Sequence, residues 1–112
     1  TMSSTDTGAT ANPILVLDRN SASPADNDVL GDIHFKGRND ADEVVTYGSF
    51  MTKIATNTDG AEDGWIYIYN TINGSSVVNA GFGDGNLVLH DDDAKIEFWQ
   101  QGGTSYSINL IL

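Results

Sequence analysis

The segment WIYIYNTINGSSVV, residues 65–78, decides the fold class of this chain. Every position from Trp65 to Tyr69 is apolar or aromatic, so a strand here has no polar face and both of its faces need cover. Asn73-Gly74 then precedes Val77-Val78, and an Asn-Gly pair between two such runs is a strong signal for a tight hairpin turn. The segment therefore predicts two antiparallel strands.

Further short strands are predicted on both sides of this hairpin. In residues 29–37 the alternation places Ile33 and Phe35 on one face of a half-buried strand and Asp32, His34 and Lys36 on the other. Gly48 interrupts a weaker alternation and indicates a bulge or a close approach of two backbones. The predicted strands are residues 14–17, 29–37, 44–55, 65–69, 77–78, 87–90, 95–100 and 104–112, the last two paired across residues 101–103.

Turns rich in Gly and Asp separate these strands, and no window shows an apolar period of about 3.6 residues, which a helix would require. The fold class is therefore all-β, with short antiparallel strands in a sandwich or a trimeric intertwined β-structure. The predicted turns are residues 38–43, Asp59-Gly60, Asp63-Gly64, residues 81–85 and residues 91–93.

The domain organisation follows from length and composition. The chain has 112 residues, which suits one domain, and we assign residues 13–112 to a single β-rich domain. Residues 1–12 are mostly Ser, Thr, Gly, Ala and Asp. Such a segment buries too little apolar surface to offset its ordering entropy, so it is predicted to be a flexible arm or linker.

The overall charge excludes one class of partner. Sixteen acidic and five basic residues give a net charge of −11, which repels phosphate backbones, so we expect no nucleic acid partner. The chain has no cysteine, which excludes disulfides and thiolate metal sites. Its apolar runs are too short for membrane insertion.

Catalytic motifs are absent from the sequence. The two histidines, His34 and His90, stand in no recognisable nucleophile or metal frame, and no phosphate-binding glycine loop occurs. We therefore expect a protein that is not an enzyme.

Two acidic turns are candidate calcium sites, because calcium prefers clustered oxygen ligands. The spacing in residues 59–64 lacks the alternating ligands of an EF-hand loop, so turn formation is the preferred interpretation and no cofactor is expected. A calcium ion bridging acidic turns of neighbouring subunits stays as a hypothesis. The residues concerned are Asp59, Glu62, Asp63, Asp91, Asp92 and Asp93.

Aromatic side chains form the other candidate site. Aromatic rings on a sheet surface either stack against sugar rings or pack in an interior or subunit interface, and packing is the preferred interpretation. The residues concerned are Trp65, Tyr67, Tyr69, Trp99 and Tyr106.

A motif in the first half of the chain resembles a segment of bacteriophage tail fibres and related virion appendages. It comprises SPADNDVLGDIHFKG at residues 23–37, Asn39-Asp40, and TDGAEDG at residues 58–64. In that family the segment often lies upstream of a self-cleaving intramolecular chaperone domain. The aromatic-rich residues 65–69 and the chain from residue 81 onward depart from the family pattern.

The resemblance implies a rigid homotrimer of interwoven or closely packed β-structure on the virion surface. We expect other virion proteins as partners, and a host-surface glycan stays as a further candidate. The two-sided apolar strand at residues 65–69 independently favours association of copies, because one chain has little sheet to cover it.

We therefore expect a structural protein of a phage virion, a homotrimeric tail fibre or appendage segment involved in host attachment. One alternative is a capsid decoration or cement protein, with residues 1–12 lying across neighbouring capsid subunits. Another is a carbohydrate-binding module, which would be a monomer with an aromatic platform.

Overall fold

The described part of the chain folds into one antiparallel sheet. The structure, a computed structural model, describes residues 1–9, 12–90 and 96. Its strands are β1 (Val29–Arg38), β2 (Val44–Thr56), β3 (Asp63–Ile72), β4 (Ser75–Gly83) and β5 (Asn86–Leu89). They pair in the order β1-β2-β3-β4-β5, each strand antiparallel to its neighbours, which confirms the all-β prediction.

Two-residue turns close the last two hairpins. Asn73 and Gly74 join β3 to β4 with φ of 50° and 80°, and Asp84 and Gly85 join β4 to β5 with φ of 51° and 73°. Tight hairpins of this kind require positive φ at both positions, which Asn, Asp and Gly tolerate best. The hairpin predicted at Asn73-Gly74 is confirmed.

An irregularity in β2 lies beside Gly48. Phe35 pairs with Gly48 while Lys36 pairs with Thr46, so Tyr47 is an extra residue in β2. A Cβ atom at Gly48 would lie 3.3 Å from the carbonyl oxygen of Tyr69 on β3. Both features predicted at Gly48, a bulge and a close backbone approach, are confirmed.

The strand register divides the side chains between two faces, because residues directly opposite each other share a face. One face, called here the apolar face, has no charged residue at any position of β1 to β5. The other, called the aromatic face, carries the three rings of β3. The large side chains of the apolar face include Ile33, Phe35, Phe50, Ile54, Ile66, Ile68, Ile72, Phe82, Leu87 and Leu89, and those of the aromatic face include Trp65, Tyr67, Tyr69, Met51, Lys53, Val78 and Val88.

No apolar side chain is buried in the part of the chain that the structure describes. The alternation predicted for residues 29–37 is confirmed, but the prediction of a half-buried strand is wrong. Ile33 is 39% exposed and Phe35 is 55% exposed, because residues 1–9, 12–90 and 96 provide no second layer over the apolar face.

Three local predictions are wrong. Residues 14–17 form no strand, since they pair with no other strand. Asp63-Gly64 is the start of β3 rather than a turn, because Gly64 pairs with Ile54 of β2. Residues 81–83 continue β4, and only Asp84 and Gly85 form the turn. The glycines at 81 and 83 make space for rings of β3, as described below.

The loop before β1 meets the end of β2 at one end of the sheet, in a region called here the pinned corner (residues 19–28 and 54–57). The backbones of Asn27 and Asp28 exchange hydrogen bonds of 2.9 Å with that of Ile54. Asn57 donates its backbone N–H to Asp26 Oδ1 at 2.9 Å and its side-chain Nδ2 to the Pro24 carbonyl at 2.7 Å. The loop before β1 is thereby fixed to the end of β2.

Other predictions concern residues at the chain ends. The strands at residues 95–100 and 104–112 lie outside the described residues, except for Ile96, which is 66% exposed. Residues 1–9 are exposed and form no helix or strand. The flexible arm at residues 1–12 stays a prediction.

Candidate functional site

Three aromatic rings form a row along β3 on the aromatic face. Residues two apart on a strand share a face, so Trp65, Tyr67 and Tyr69 follow one another along the central strand of the sheet. The Trp65 and Tyr67 ring centroids are 5.7 Å apart with planes inclined by 12°, and the Tyr67 and Tyr69 centroids are 6.2 Å apart with planes inclined by 58°. The structure brings together these three of the five predicted aromatic residues.

Glycines on β4 provide the space that the rings occupy. Gly81 lies opposite Tyr67, and a Cβ atom there would be 3.1 Å from Tyr67 Cδ1. A Cβ atom at Gly83 would collide with the Trp65 indole. The alternation Gly-Phe-Gly on β4 therefore presents Phe82 to the apolar face and leaves room for rings on the aromatic face.

A lysine and a histidine flank the ring row. Lys53 Nζ lies 5.4 Å from the Tyr67 ring centroid and donates a hydrogen bond of 3.1 Å to Asn27 Oδ1. The His90 ring lies 5.7 Å from the Tyr67 ring, and its backbone N–H donates to the Asn79 carbonyl at 3.0 Å. A cation over an aromatic face is a stabilising contact, so Lys53 links the ring row to the pinned corner.

An open depression of about 430 Å³ adjoins Tyr69 on the same face. Asp32 Oδ2 and His34 Nε2 are 2.7 Å apart at its border. Burial raises the pKa of Tyr69 above its ordinary value, and the neighbouring Tyr67 and the negative charge of Asp32 raise it further. The depression is lined by Asp32, His34, Thr46, Ser49, Met51, Tyr69 and Ser76.

This group of residues is suited to binding. His34 lies opposite Ser49 in the register, yet no hydrogen bond joins their side chains in the described structure, so the link that activates a serine nucleophile is not formed. The depression instead offers hydroxyl groups, a carboxylate and one aromatic ring. Such a combination can hydrogen-bond a polyhydroxylated ligand and stack against its apolar side.

The polar members of this depression were not identified from the sequence. The alternation in residues 29–37 places Asp32 and His34 on one polar face, and it is the sequence feature that could have indicated them. Their association with Ser49 and Tyr69 depends on the register of three strands, which the sequence alone did not supply.

The remaining candidate residues are not gathered into a site. Within residues 1–9, 12–90 and 96, no group of three or more His, Asp or Glu side chains is placed to hold a metal ion. Asp59, Glu62 and Asp63 stand at the connection between β2 and β3 and at the start of β3. Trp99, Tyr106, Asp91, Asp92 and Asp93 lie outside the described residues.

The apolar face is a second candidate surface. Its residues form rows across all five strands, one of which runs through Gly31, Thr52, Ile66, Phe82 and Leu87. The next row carries Ile33, Phe50, Ile68, Ala80 and Leu89. Eight large side chains of this face are between 37% and 55% exposed, namely Ile33, Phe35, Phe50, Ile66, Ile72, Phe82, Leu87 and Leu89.

Two local contacts characterise this face. The Phe35 and Phe50 rings meet edge to face, with centroids 5.8 Å apart and planes inclined by 84°. The side-chain Oδ1 of Asn70, which the register places on the same face, is buried without a hydrogen-bond partner. A contiguous exposed apolar patch of this kind is typical of an interaction surface.

The comparisons with known proteins give no family assignment. No protein family, curated protein or solved structure matches this chain. In the described part of the chain, no helix has the length and apolar character needed to cross a membrane. The fold and the two surfaces define an all-β protein whose described residues form one sheet with an apolar face and an aromatic face.

Proposed function

We propose that this chain is a structural segment of a phage virion, a homotrimeric β-rich tail fibre or appendage segment involved in host attachment. The observation that carries the proposal is the apolar face, which has no charged residue in its strands and, apart from Leu17 over Gly31, no cover from the described residues. The motif at residues 23–37 and 58–64 supports the virion assignment, because it resembles segments of such appendages.

The size of the apolar face supports association between copies. Five strands spaced about 4.8 Å apart and roughly 30 Å long give a footprint of about 700 Å² per copy. Specific protein interfaces bury about 800 Å² per partner. Removal of this surface from water, at about 25 cal/mol per Å², offsets a large part of the cost of association.

A threefold arrangement accommodates these sheets. Three sheets, each about 24 Å wide, would stand roughly 7 Å from a central axis, compared with about 5 Å from the midplane in an ordinary two-sheet sandwich. The phenylalanine, isoleucine and leucine side chains of the apolar face would fill this interior. The aromatic face and the acidic turns at the strand ends would stay in contact with water.

The net charge opposes this assembly. Three copies carry 3 × (−11) = −33 charges, whose repulsion is strongest at low ionic strength. The proposed trimer is therefore more stable in moderate salt than in dilute buffer.

Quantitative mass spectrometry of separated virion heads and tails tests the location. Recovery of the chain with the tails is the expected result. Recovery with the heads would overturn the appendage assignment and favour the capsid decoration protein. Absence from both fractions would overturn the virion role.

A second function, saccharide binding, is favoured by the depression beside Tyr69. A pyranose ring offers an apolar C–H side that stacks on an aromatic ring and hydroxyl groups that bond to carboxylates and hydroxyls. Asp32 and the high negative charge of the chain favour a neutral saccharide over a sialylated or sulfated one.

A glycan array probed with the intact protein tests this second function. We expect binding to neutral saccharides, with loss of binding in Tyr69→Ala and in Asp32→Asn. Tyr47→Ala is the matched control, because Tyr47 is an exposed tyrosine outside the depression. Binding that survives both Tyr69→Ala and Asp32→Asn, or no binding to any neutral saccharide, would overturn it.

A further inference from the structure

Residues 14–17 form an apolar segment that the sheet of the same chain leaves in water. Ile14, Leu15, Val16 and Leu17 are 65%, 58%, 72% and 50% exposed. They lie before the pinned corner and outside every strand of the sheet. Four consecutive apolar side chains at this exposure are a second uncovered surface next to the apolar face.

The last residue of the segment is fixed in place on the sheet. A Cβ atom at Gly31 would lie 2.9 Å from Leu17 Cδ1, so the Leu17 side chain rests on Gly31 at the edge strand β1. Arg19 holds the following turn, with NH2 3.2 Å from Asp28 Oδ1 and NH1 donating to the Val29 carbonyl at 2.9 Å. The point from which residues 14–16 depart is therefore defined.

Gly31 also relates this departure point to β5, the strand at the opposite edge of the described sheet. Gly31 begins the row of the apolar face that ends at Leu87 on β5. In a ring of three copies, head-to-tail contacts place β1 of one copy beside β5 of the next, because these strands are the two edges of the sheet that the structure describes. With the threefold axis parallel to the strands, Leu17 of one copy stands level with Leu87 of its neighbour.

We infer that residues 14–16 of each copy cross to the next copy and cover its apolar face beside Leu87 and Phe82. Three extended residues reach about 10 Å, enough to cross two strands spaced about 4.8 Å apart. The exchange buries two uncovered surfaces together and links each copy to the next. It rests on the trimer proposed above and adds the element that connects its members.

Engineered disulfides test the exchange directly, because the chain has no native cysteine. In the double variant Val16→Cys/Leu87→Cys, oxidation should produce a covalent trimer on a non-reducing denaturing gel, since every copy is linked to two others. Val16→Cys/Glu43→Cys is the control, because Glu43 lies at the β1–β2 turn, at the opposite end of the sheet from Gly31. It should give no covalent trimer.

The alternative outcomes separate the two proposals. A crosslinked monomer would show that the segment folds onto its own sheet, and this would overturn the exchange. Uncrosslinked chains in a particle of trimeric mass would also overturn the exchange while leaving the trimer in place. A monomeric mass by light scattering would overturn both.

Polar substitutions provide a second test that does not depend on cysteine chemistry. Leu15→Ser/Val16→Ser should raise the concentration at which the trimer dissociates by at least about tenfold, because two side chains lose apolar contacts. Thr5→Ser/Thr7→Ser, in the exposed residues 1–9, is the control and should change nothing. Equal dissociation of the two variants would contradict the exchange.

Discussion

The two faces of the sheet differ in how far the chain covers them with its own residues. On β3, Tyr67 is half-buried between Lys53, His90 and the space over Gly81, whereas Ile66, its neighbour on the opposite face, is 47% exposed. Both faces carry large side chains. Glycines opposite the rings of β3 let neighbouring side chains partly bury the aromatic face within one sheet. The Ile, Phe and Leu side chains of the apolar face have no such neighbours among the described residues, so their burial requires a second layer packed on them.

We expect the largest effect from a substitution that introduces a charge on the apolar face, compared with the same substitution on the aromatic face. Phe50→Asp places a carboxylate in the middle of the apolar face, and its burial in the proposed interface costs several kcal/mol. We expect loss of the trimer, measured by light scattering. Ser76→Asp, an exposed position on the aromatic face, is the control and should assemble normally.

If both aspartate variants assemble equally well, the apolar face is not the interface. If both fail to assemble, the two faces do not differ in the way described. Circular dichroism of each variant distinguishes a failure to associate from a failure to fold.

We expect the next largest effect from filling the space that the β4 glycines leave for the rings of β3. Gly83→Ala forces the Trp65 indole from its position, and overpacking of this kind costs about 1–3 kcal/mol. The expected result is a lower melting temperature and altered tryptophan fluorescence. Gly64→Ala is the control, because a Cβ atom there would make an ordinary contact of 3.7 Å with the Lys53 carbonyl oxygen. Equal melting temperatures for the two variants would contradict the account of the aromatic face.

We expect a smaller loss of stability when a hydrogen bond of the pinned corner is removed. Asn57→Ala removes the side-chain hydrogen bond to the Pro24 carbonyl and should cost about 1 kcal/mol in the free energy of unfolding. Asn86→Ala, which removes a bond of 3.0 Å to the Asp84 carbonyl two residues away, should cost less, because it releases no distant segment. Chemical denaturation measures both. A larger loss in Asn86→Ala would show that the corner does not stabilise the sheet.

The smallest effect concerns Tyr69 at high pH. Its pKa is raised in the folded protein, so the folded state holds the phenol proton more tightly than the unfolded state does. This contribution is fully present below the ordinary tyrosine pKa, which is about 10, and is lost as the pH rises through the raised value. As the pH rises above the ordinary tyrosine pKa, the free energy of unfolding should fall less in Tyr69→Phe than in the unsubstituted protein. Identical pH profiles would contradict the burial and charge effects assigned to Tyr69.

Much of the fold could be predicted from local signals. The Asn73-Gly74 turn, the alternation in residues 29–37 and the irregularity at Gly48 are properties of short segments, and each agrees with the structure. The wrong predictions concern segments whose structure depends on contacts with residues distant in the sequence. Residues 14–17 have strand composition but no strand to pair with, and the glycines at 81 and 83 resembled a turn because the rings that need their space lie on another strand.

The candidate site was predicted only in part for the same reason. Trp65, Tyr67 and Tyr69 were identified because they are close in sequence and share a strand face. The depression beside Tyr69 combines β1, β2, β3 and β4, so its composition depends on the register among four strands. The exposure of the apolar face reflects the lack of a second layer among residues 1–9, 12–90 and 96, and no local sequence pattern indicates this.

The mass of the folded particle in solution tests the central claim most directly. Sedimentation of the intact protein at moderate salt should give three times 12.0 kDa, about 36 kDa, with dissociation only on dilution. A folded species of 12.0 kDa that persists at high concentration would contradict the claim that copies of the chain cover the apolar face.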